Sequence, residues 1–216
     1  AIRSCTSRKA AVFSCGAFGD RWYKMAVTNN VKADLYNVDM GKAITPEMVE
    51  AALATGQYDL IAVQHNETST GITNPIEEIA EVVNKYEDLI FCVDAVSSAG
   101  GAKIEVDKLG IDILITSTQK ALGLPPGMAI CTFSERAIKR AETVEFRGTY
   151  FDLLAMYKYL KKKNYQYPST PSLSHMFAMD YQLGNILEEG LDERFKRHED
   201  MANLVRAWAQ KHFKLF

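Results

Sequence analysis

This 216-residue chain contains a short apolar run that ends on an acidic residue, Leu89-Ile90-Phe91-Cys92-Val93-Asp94. A continuous run of aliphatic and aromatic residues is typical of a strand that is buried on both faces, as the strands of parallel sheets are. A carboxylate at the end of such a strand must be paired or strongly hydrogen-bonded to remain charged. We therefore expect Asp94 to face a cation, although a capping role at the next segment would also satisfy it.

Three further runs of this kind indicate buried strands, and they alternate with stretches of helical periodicity. The strands are predicted at 10–14, 60–64 and 113–117. The helices are predicted at 21–29, 45–55 and 75–86, the second with Thr45 as its cap. This alternation predicts an α/β fold of three layers, in which helices sandwich a mostly parallel mixed sheet. A strand at 128–133 follows its predecessor too closely for a crossover helix, so we expect it to run antiparallel.

Composition and charge narrow the classes of function. The chain has 25 Lys and Arg against 27 Asp and Glu, so its formal net charge of −2 offers no cationic field for nucleic acid or anionic lipid. The longest apolar stretches are well short of the ~20 residues that span a membrane. Four cysteines and four histidines are scattered without the spacing of a metal site. We expect reduced thiols, no bound metal and a cytoplasmic protein without membrane or nucleic-acid partners.

The C-terminal part of the chain is predicted to be helical and to begin a second domain. From Leu191 onward, apolar residues share one face of a long helix: Phe195, Met201, Leu204, Val205 and Trp208. We place the domain boundary after residue 184. This gives a large α/β domain at 1–184 and the start of a smaller domain at 185–216.

Polar segments follow three of the predicted strands. They are His65-Asn66-Glu67-Thr68-Ser69-Thr70-Gly71, Asp94-Ala95-Val96-Ser97-Ser98 and Thr118-Gln119-Lys120. Because ligands bind at the carboxyl ends of the strands in open α/β sheets, we expect these segments to converge on one crevice.

The functional prediction depends on Lys120 and Asp94. The apolar segment at 121–127 is expected to hold the lysine stem in low-dielectric surroundings, which favours the neutral amine that forms an imine with a carbonyl. Pyridoxal phosphate needs such a lysine for its aldehyde and a buried carboxylate to keep its ring nitrogen protonated. A structural Asp94–Lys120 ion pair would satisfy the same burial argument, so the surrounding motifs must decide.

Five ordered motifs resemble those of the class V pyridoxal-phosphate aminotransferases of fold type I, particularly the alanine–glyoxylate and serine–pyruvate group. They are the aromatic loop at 16–22 (GAFGDRW), the cofactor-contact loop at 65–71 (HNETSTG), the aspartate strand end at 94–98 (DAVSS), the lysine loop at 117–127 (STQKALGLPPG) and the segment at 167–171 (YPSTP). Together they are spread over residues 16–171, which is most of the chain.

The resemblance implies that pyridoxal 5′-phosphate is the cofactor, and it gives each matching residue a role. Lys120 is expected to form the Schiff base (aldimine) and then to move the proton between the substrate and the cofactor. Asp94 is expected to pair with the pyridinium nitrogen. The ring is expected to lie between Val96 and Phe18.

The resemblance also implies contacts at the edges of the cofactor and a shared active site. Thr68 is expected to hydrogen-bond near the ring and Gln119 to contact the phosphate. Tyr167 and Thr170 are expected to reach the phosphate site of a neighbouring subunit, which implies a homodimer.

The implied activity is transamination from a small amino acid of the alanine or serine type to a 2-oxo acid such as glyoxylate or pyruvate. Phosphoserine and 2-aminoethylphosphonate transaminases remain alternatives because they differ mainly in the substrate pocket. A cysteine desulfurase commonly has a histidine where this chain has Gln119, and it needs a mobile cysteine, whereas Cys131 lies in a predicted strand. A non-catalytic domain of the same fold is the remaining alternative.

Two features of the family have no counterpart in this sequence. They are the small phosphate-binding turn upstream and the C-terminal arginine that binds the substrate carboxylate. A guanidinium suits this role because it forms two parallel hydrogen bonds to a carboxylate. We therefore expect the 216 residues to be part of a longer enzyme.

Overall fold

The computed structural model describes residues 1–162 and 166–214, in which helices flank a six-stranded sheet. The strands are β1 Ala10–Ser14, β2 Ala33–Asn37, β3 Leu60–Gln64, β4 Asn66–Glu67, β5 Ile72–Thr73, β6 Ile90–Asp94, β7 Ile113–Ser117 and β8 Ala129–Phe133. The helices are α1 Ile2–Cys5, α2 Ala17–Thr28, α3 Pro46–Leu53, α4 Ile76–Val83, α5 Glu135–Thr143, α6 Leu153–Leu160, α7 Leu173–Glu189 and α8 Leu191–His212. The expected α/β architecture is confirmed.

The main sheet has the strand order β2-β1-β3-β6-β7-β8, and the pairs from β2 to β7 are parallel. Strands β1, β3 and β7 have the predicted bounds, and β6 begins one residue later than predicted. Strand β2 was not predicted from the sequence. Its sequence, ADLYN, mixes polar and apolar residues, and most of its side chains are only half-buried.

Strand β8 neighbours β7 in the strand order. The Thr118 N–H donates to the Met128 carbonyl, and the Ser134 N–H donates to the Asp112 carbonyl. Residue numbers thus rise along one strand while they fall along the other, which is the register of an antiparallel pair. The predicted orientation of this strand is confirmed.

A hydrophobic core covers one face of the sheet and holds α2 in place. Alternate residues of a strand share a face, and Val12, Ala62 and Cys92 contribute to this core from β1, β3 and β6. Helix α2 packs on them with Trp22 and Ala26. The beginning of α2 is therefore fixed relative to the strands whose ends form the candidate site.

The chain divides into two compact units. The first contains residues 1–95, 105–115 and 131–171, and the second contains residues 96–104, 116–130 and 172–216. In the second unit, Gly190 separates α7 from α8 with a φ of 86°, a left-handed conformation that favours glycine. The boundary predicted after residue 184 stays a prediction.

Helix α8 is present as predicted, but its apolar stripe is largely exposed, and its buried side chain is that of Arg194. The part of the chain that the structure describes has no helix with the length and apolar character needed to cross a membrane.

Candidate active site

Asp94 ends β6 in the first unit, and its side chain is buried. In the sheet register it lies beside Gln64 of β3 and Ile115 of β7. The indole Nε1–H of Trp22 donates to Asp94 Oδ2 at 2.8 Å. Because a hydrogen bond to a carboxylate favours its charged form, Trp22 supplies part of the stabilisation that the buried acid requires.

Gln64 places a buried amide at the same edge of the sheet. Its side chain is 1% exposed, and neither Oε1 nor Nε2 has a hydrogen-bond partner among the described residues. Its register with Asp94 puts both residues on one face of the sheet. A buried polar group without a partner is costly, and such groups are typical of positions that a ligand or an ordered water completes.

Glu67 joins the predicted aromatic loop to the cofactor-contact loop. Its Oε2 accepts hydrogen bonds from the backbone N–H groups of Phe18 at 3.1 Å and Gly19 at 3.0 Å. Its Oε1 accepts from the Ser69 N–H at 3.0 Å and the Ser69 hydroxyl at 2.7 Å. The carboxylate is fully buried at the N-terminus of α2, where the helix dipole also favours negative charge. It therefore fixes the backbone that carries Phe18.

Glycines allow these two loops to approach closely. A Cβ at Gly16 would lie 2.6 Å from Glu67 Cγ, and a Cβ at Gly19 would lie 2.6 Å from Ser14 Cα. Both distances are shorter than van der Waals contact. The first turn of α2 can reach the ends of β1 and β4 only because side chains are absent at these positions.

The cofactor-contact loop is attached to the ends of the strands. The His65 N–H donates to the Asp94 carbonyl at 2.8 Å, and the Asn74 amide donates to the Gln64 carbonyl at 2.8 Å. Burial lowers the pKa of His65, which keeps its ring neutral near pH 7. Thr68 lies at the tip of this loop with its side chain exposed. The structure thus brings the loop of Phe18, the loop of Thr68 and the strand end of Asp94 together within the first unit.

Val96, Gln119 and Lys120 belong to the second unit. Val96 is half-buried, whereas Gln119 and Lys120 are exposed in the turn after β7. The expectation that the segment at 121–127 buries the lysine stem is wrong for this chain, because the prolines and the glycine that end this segment are themselves exposed. The lysine amine is accessible.

A buried arginine holds the backbone of the lysine turn. The guanidinium of Arg194 donates to the carbonyl of Ala121 at 2.5 Å and to the carbonyl of Gly100 at 2.7 Å. It also pairs with Glu189 at 2.8 Å. Hydrogen bonds from Arg197 and Arg194 lower the pKa of Glu189 to about 2. The residue that follows Lys120 is therefore tied to the segment at 96–104, within the second unit.

Tyr167 and Thr170 lie in the first unit, exposed along the segment at 166–171, which lines a shallow open depression. Their contact with a neighbouring subunit stays a prediction.

Cys131 lies in β8, and burial raises the pKa of its thiol. A nucleophilic cysteine needs a lowered pKa and mobility, so this residue does not match the thiol of a desulfurase.

Three residues that hold these segments in place were not predicted from the sequence: Trp22 and Glu67 in the first unit and Arg194 in the second. Trp22 lies in the motif at 16–22 and Glu67 in the motif at 65–71. Glu67 is the acidic residue of an otherwise polar loop, so the sequence did indicate that it could have a specific role. Arg194 lies on a helix whose apolar stripe suggested a different buried face, so no sequence signal was available for it.

The family model for aminotransferase class-V matches residues 15–208. An uncharacterised aminotransferase of Methanocaldococcus jannaschii is 43% identical over 89% of this chain and 50% of its own length. L-aspartate–glyoxylate aminotransferase of Paracoccus denitrificans is 32% identical over 89% of this chain and 49% of its own length. The chain thus spans about half the length of these curated relatives.

A solved structure shows the same architecture. The alanine–glyoxylate aminotransferase from Nostoc sp. superposes with a TM-score of 0.86 at 25% identity, over 99% of this chain and 58% of that protein. The residues that the family model matches, 15–208, include the aromatic loop at 16–22, the polar segments at 65–71 and 94–98, and the lysine loop at 117–127. This chain belongs to the class V aminotransferase family.

Proposed function

We propose that the protein containing this chain is a pyridoxal 5′-phosphate-dependent transaminase. It transfers an amino group from a small amino acid of the alanine or serine type to a 2-oxo acid such as glyoxylate or pyruvate. The observation that carries this proposal is Asp94, a buried carboxylate at the carboxyl end of a parallel strand in a chain of this family. The names of the relatives, several of which pair an amino acid with glyoxylate, support the choice of acceptor.

The residues present fit the cofactor. The first unit offers a buried acid at Asp94 and an orphaned buried amide at Gln64, and the second unit offers an accessible lysine amine at Lys120. When bound, pyridoxal phosphate supplies an aldehyde that combines with amines and a ring that accepts electron density from the substrate. Lys120 would hold the cofactor through its Nζ and would carry a proton on that atom, and Asp94 would hold the proton on the ring nitrogen.

The remaining predicted contacts orient the cofactor. Phe18 and Val96 pack on the two faces of the ring, and the backbone contacts of Glu67 support Phe18 in that position. Thr68 hydrogen-bonds near the ring, and Gln119 binds the phosphate. These roles are carried over from the family resemblance.

We also propose a homodimer in which Tyr167 and Thr170 complete the phosphate site of the neighbouring subunit. Their exposure in this chain leaves both side chains accessible for that contact. A cytoplasmic location is supported by the four cysteines, all of which are unpaired.

Lys120→Ala tests the proposal directly in the full-length protein. We expect the wild type to retain covalently bound cofactor after borohydride reduction, as seen by intact mass. The variant should retain none, and its rate of amino transfer from alanine or serine should fall by about 10³-fold, because the lysine is both attachment point and proton carrier.

The exposed Lys139 of α5 provides the matched control, since Lys139→Ala removes the same charge away from the site. Lys139→Ala should retain as much covalently bound cofactor as the wild type and should transfer amino groups at the same rate. Equal labelling of the wild type and Lys120→Ala would refute the assignment of the lysine, and absence of cofactor binding by the wild type would refute the proposed function.

A further inference from the structure

The contact between Trp22 and Asp94 is the strongest unassigned feature of the candidate site. Both side chains are buried, and the indole N–H lies 2.8 Å from Asp94 Oδ2. The proposed function assigns a role to Asp94 but none to the tryptophan.

We propose that Trp22 is a positioning residue that holds the Asp94 carboxylate ionised and in a fixed orientation toward the ring nitrogen of the cofactor. This inference rests on the proposed function. It concerns the strength with which the acid acts, rather than the identity of the reaction.

The chemistry of the indole group suits this role. Its N–H is a donor with no acceptor capacity, so it stabilises the carboxylate and cannot take part in proton exchange with it. It is also neutral, so it leaves the negative charge of Asp94 available to a cation. A guanidinium at the same place would compete with a protonated ring nitrogen for that charge.

The surroundings of Trp22 prevent the indole from following a carboxylate that rotates. Trp22 packs in the hydrophobic core with Ala62 and Cys92. The first turn of the same helix is fixed by Glu67, which accepts the N–H groups of Phe18 and Gly19. The indole N–H of Trp22 therefore belongs to a helix that is held in place, and this N–H sets the position of Asp94 Oδ2.

The test replaces the indole N–H and little else. In the full-length protein, Trp22 is substituted by its benzothienyl analogue, in which sulfur takes the place of N–H at almost unchanged shape. Trp22→Phe serves as the second, genetically simple variant. Trp208→Phe, on the exposed face of α8, is the matched control.

Four quantities are measured: the indole resonance, the cofactor affinity, the rate at saturating substrate and KM. In the cofactor-free protein, the indole ¹⁵N–¹H resonance of Trp22, assigned by its loss in Trp22→Phe, should shift upfield in Asp94→Ala. In the loaded protein, loss of the N–H should weaken cofactor binding and slow amino transfer at saturating substrate by about tenfold each, the magnitude of a hydrogen bond to a charged group. KM for the amino acid should change little.

A cofactor with a methylated ring nitrogen separates positioning from a merely structural role. Its ring carries a permanent positive charge, so the difference in rate between the wild type and the benzothienyl variant should shrink to less than about twofold. A defect caused by poor packing would persist with this analogue.

Two results would overturn the inference while leaving the proposed function intact. One is a benzothienyl variant that binds cofactor and transfers amino groups like the wild type. The other is an indole resonance that is insensitive to Asp94→Ala. A wild-type protein that binds no cofactor would refute the proposed function together with this inference, and that outcome is visible before any variant is compared.

Discussion

Glu67 shows how a single side chain organises the loops of the candidate site. Four donor groups contact its carboxylate, two backbone N–H groups from the first turn of α2 and the N–H and hydroxyl of Ser69. Because the group is fully buried, no water can replace a lost acceptor without a rearrangement of the loop. We therefore expect the identity of this residue to matter for stability as well as for cofactor binding.

Glu67→Gln should lower the free energy of unfolding by about 2–4 kcal/mol. The substitution preserves shape but points an amide NH₂ group at backbone donors, which leaves at least one of them unpaired. Urea unfolding measures the change, with Glu78→Gln on the exposed side of α4 as the control. A loss no greater than that of the control would show that the carboxylate is not needed to hold α2.

At the scale of secondary structure elements, helix α2 approaches β1 more closely than a side chain would allow. A Cβ at Gly19 would lie 2.6 Å from the backbone Cα of Ser14, which cannot move independently of the sheet. A Cβ at Gly184, within α7, would meet no heavy atom within 4 Å. Two glycines in helices thus have opposite structural consequences.

Gly19→Ala should lower the free energy of unfolding by about 1–3 kcal/mol, because α2 must shift away from the sheet. Gly184→Ala should raise it by about 0.5–1 kcal/mol, because alanine loses less backbone entropy in a helix. Thermal unfolding of both variants provides the comparison. Equal effects of the same sign would contradict the close approach of α2 to β1.

Strand positions follow closely from the sequence, whereas the contacts that organise the site do not. β1, β3 and β7 are continuous apolar runs, so their bounds are predictable from composition. β2 lies at the edge of the sheet, where half-buried positions accept polar residues, and its pattern is therefore weak. The bond between Trp22 and Asp94 joins residues 72 positions apart, and its existence depends on how α2 packs.

At the scale of the whole molecule, the carboxyl ends and the amino ends of the strands carry acidic residues with different roles. Both sets of acids lie within the first unit. The carboxyl ends of the strands carry Asp94 and the functional loops. The amino ends of the strands carry Asp59 and Asp112, which are buried and paired with Arg140 and Arg136 of α5. Asp112 also accepts the Phe91 N–H at 2.9 Å. These acids connect α5 to the strands and take no part in the proposed chemistry.

Asp112→Ala should lower the free energy of unfolding by about 3 kcal/mol, because it leaves the Phe91 N–H unpaired and removes the partner of Arg136. The affinity for the cofactor should stay within about twofold of the wild type at temperatures where the variant is folded. Asp88→Ala, at an exposed position nearby, is the control for both measurements. Loss of cofactor affinity without loss of stability would contradict this division of roles between the carboxyl and amino ends of the strands.

The guanidinium that ties down the lysine turn has a consequence for synthesis on the ribosome. Arg194 follows Ala121 by 73 residues, so the turn leaves the ribosome long before its donor exists. Until translation reaches α8, the carbonyls of Gly100 and Ala121 have to be satisfied by water, and the nascent turn cannot adopt its final shape. The Lys120 amine is thus synthesised early, but the turn that carries it reaches its final conformation late.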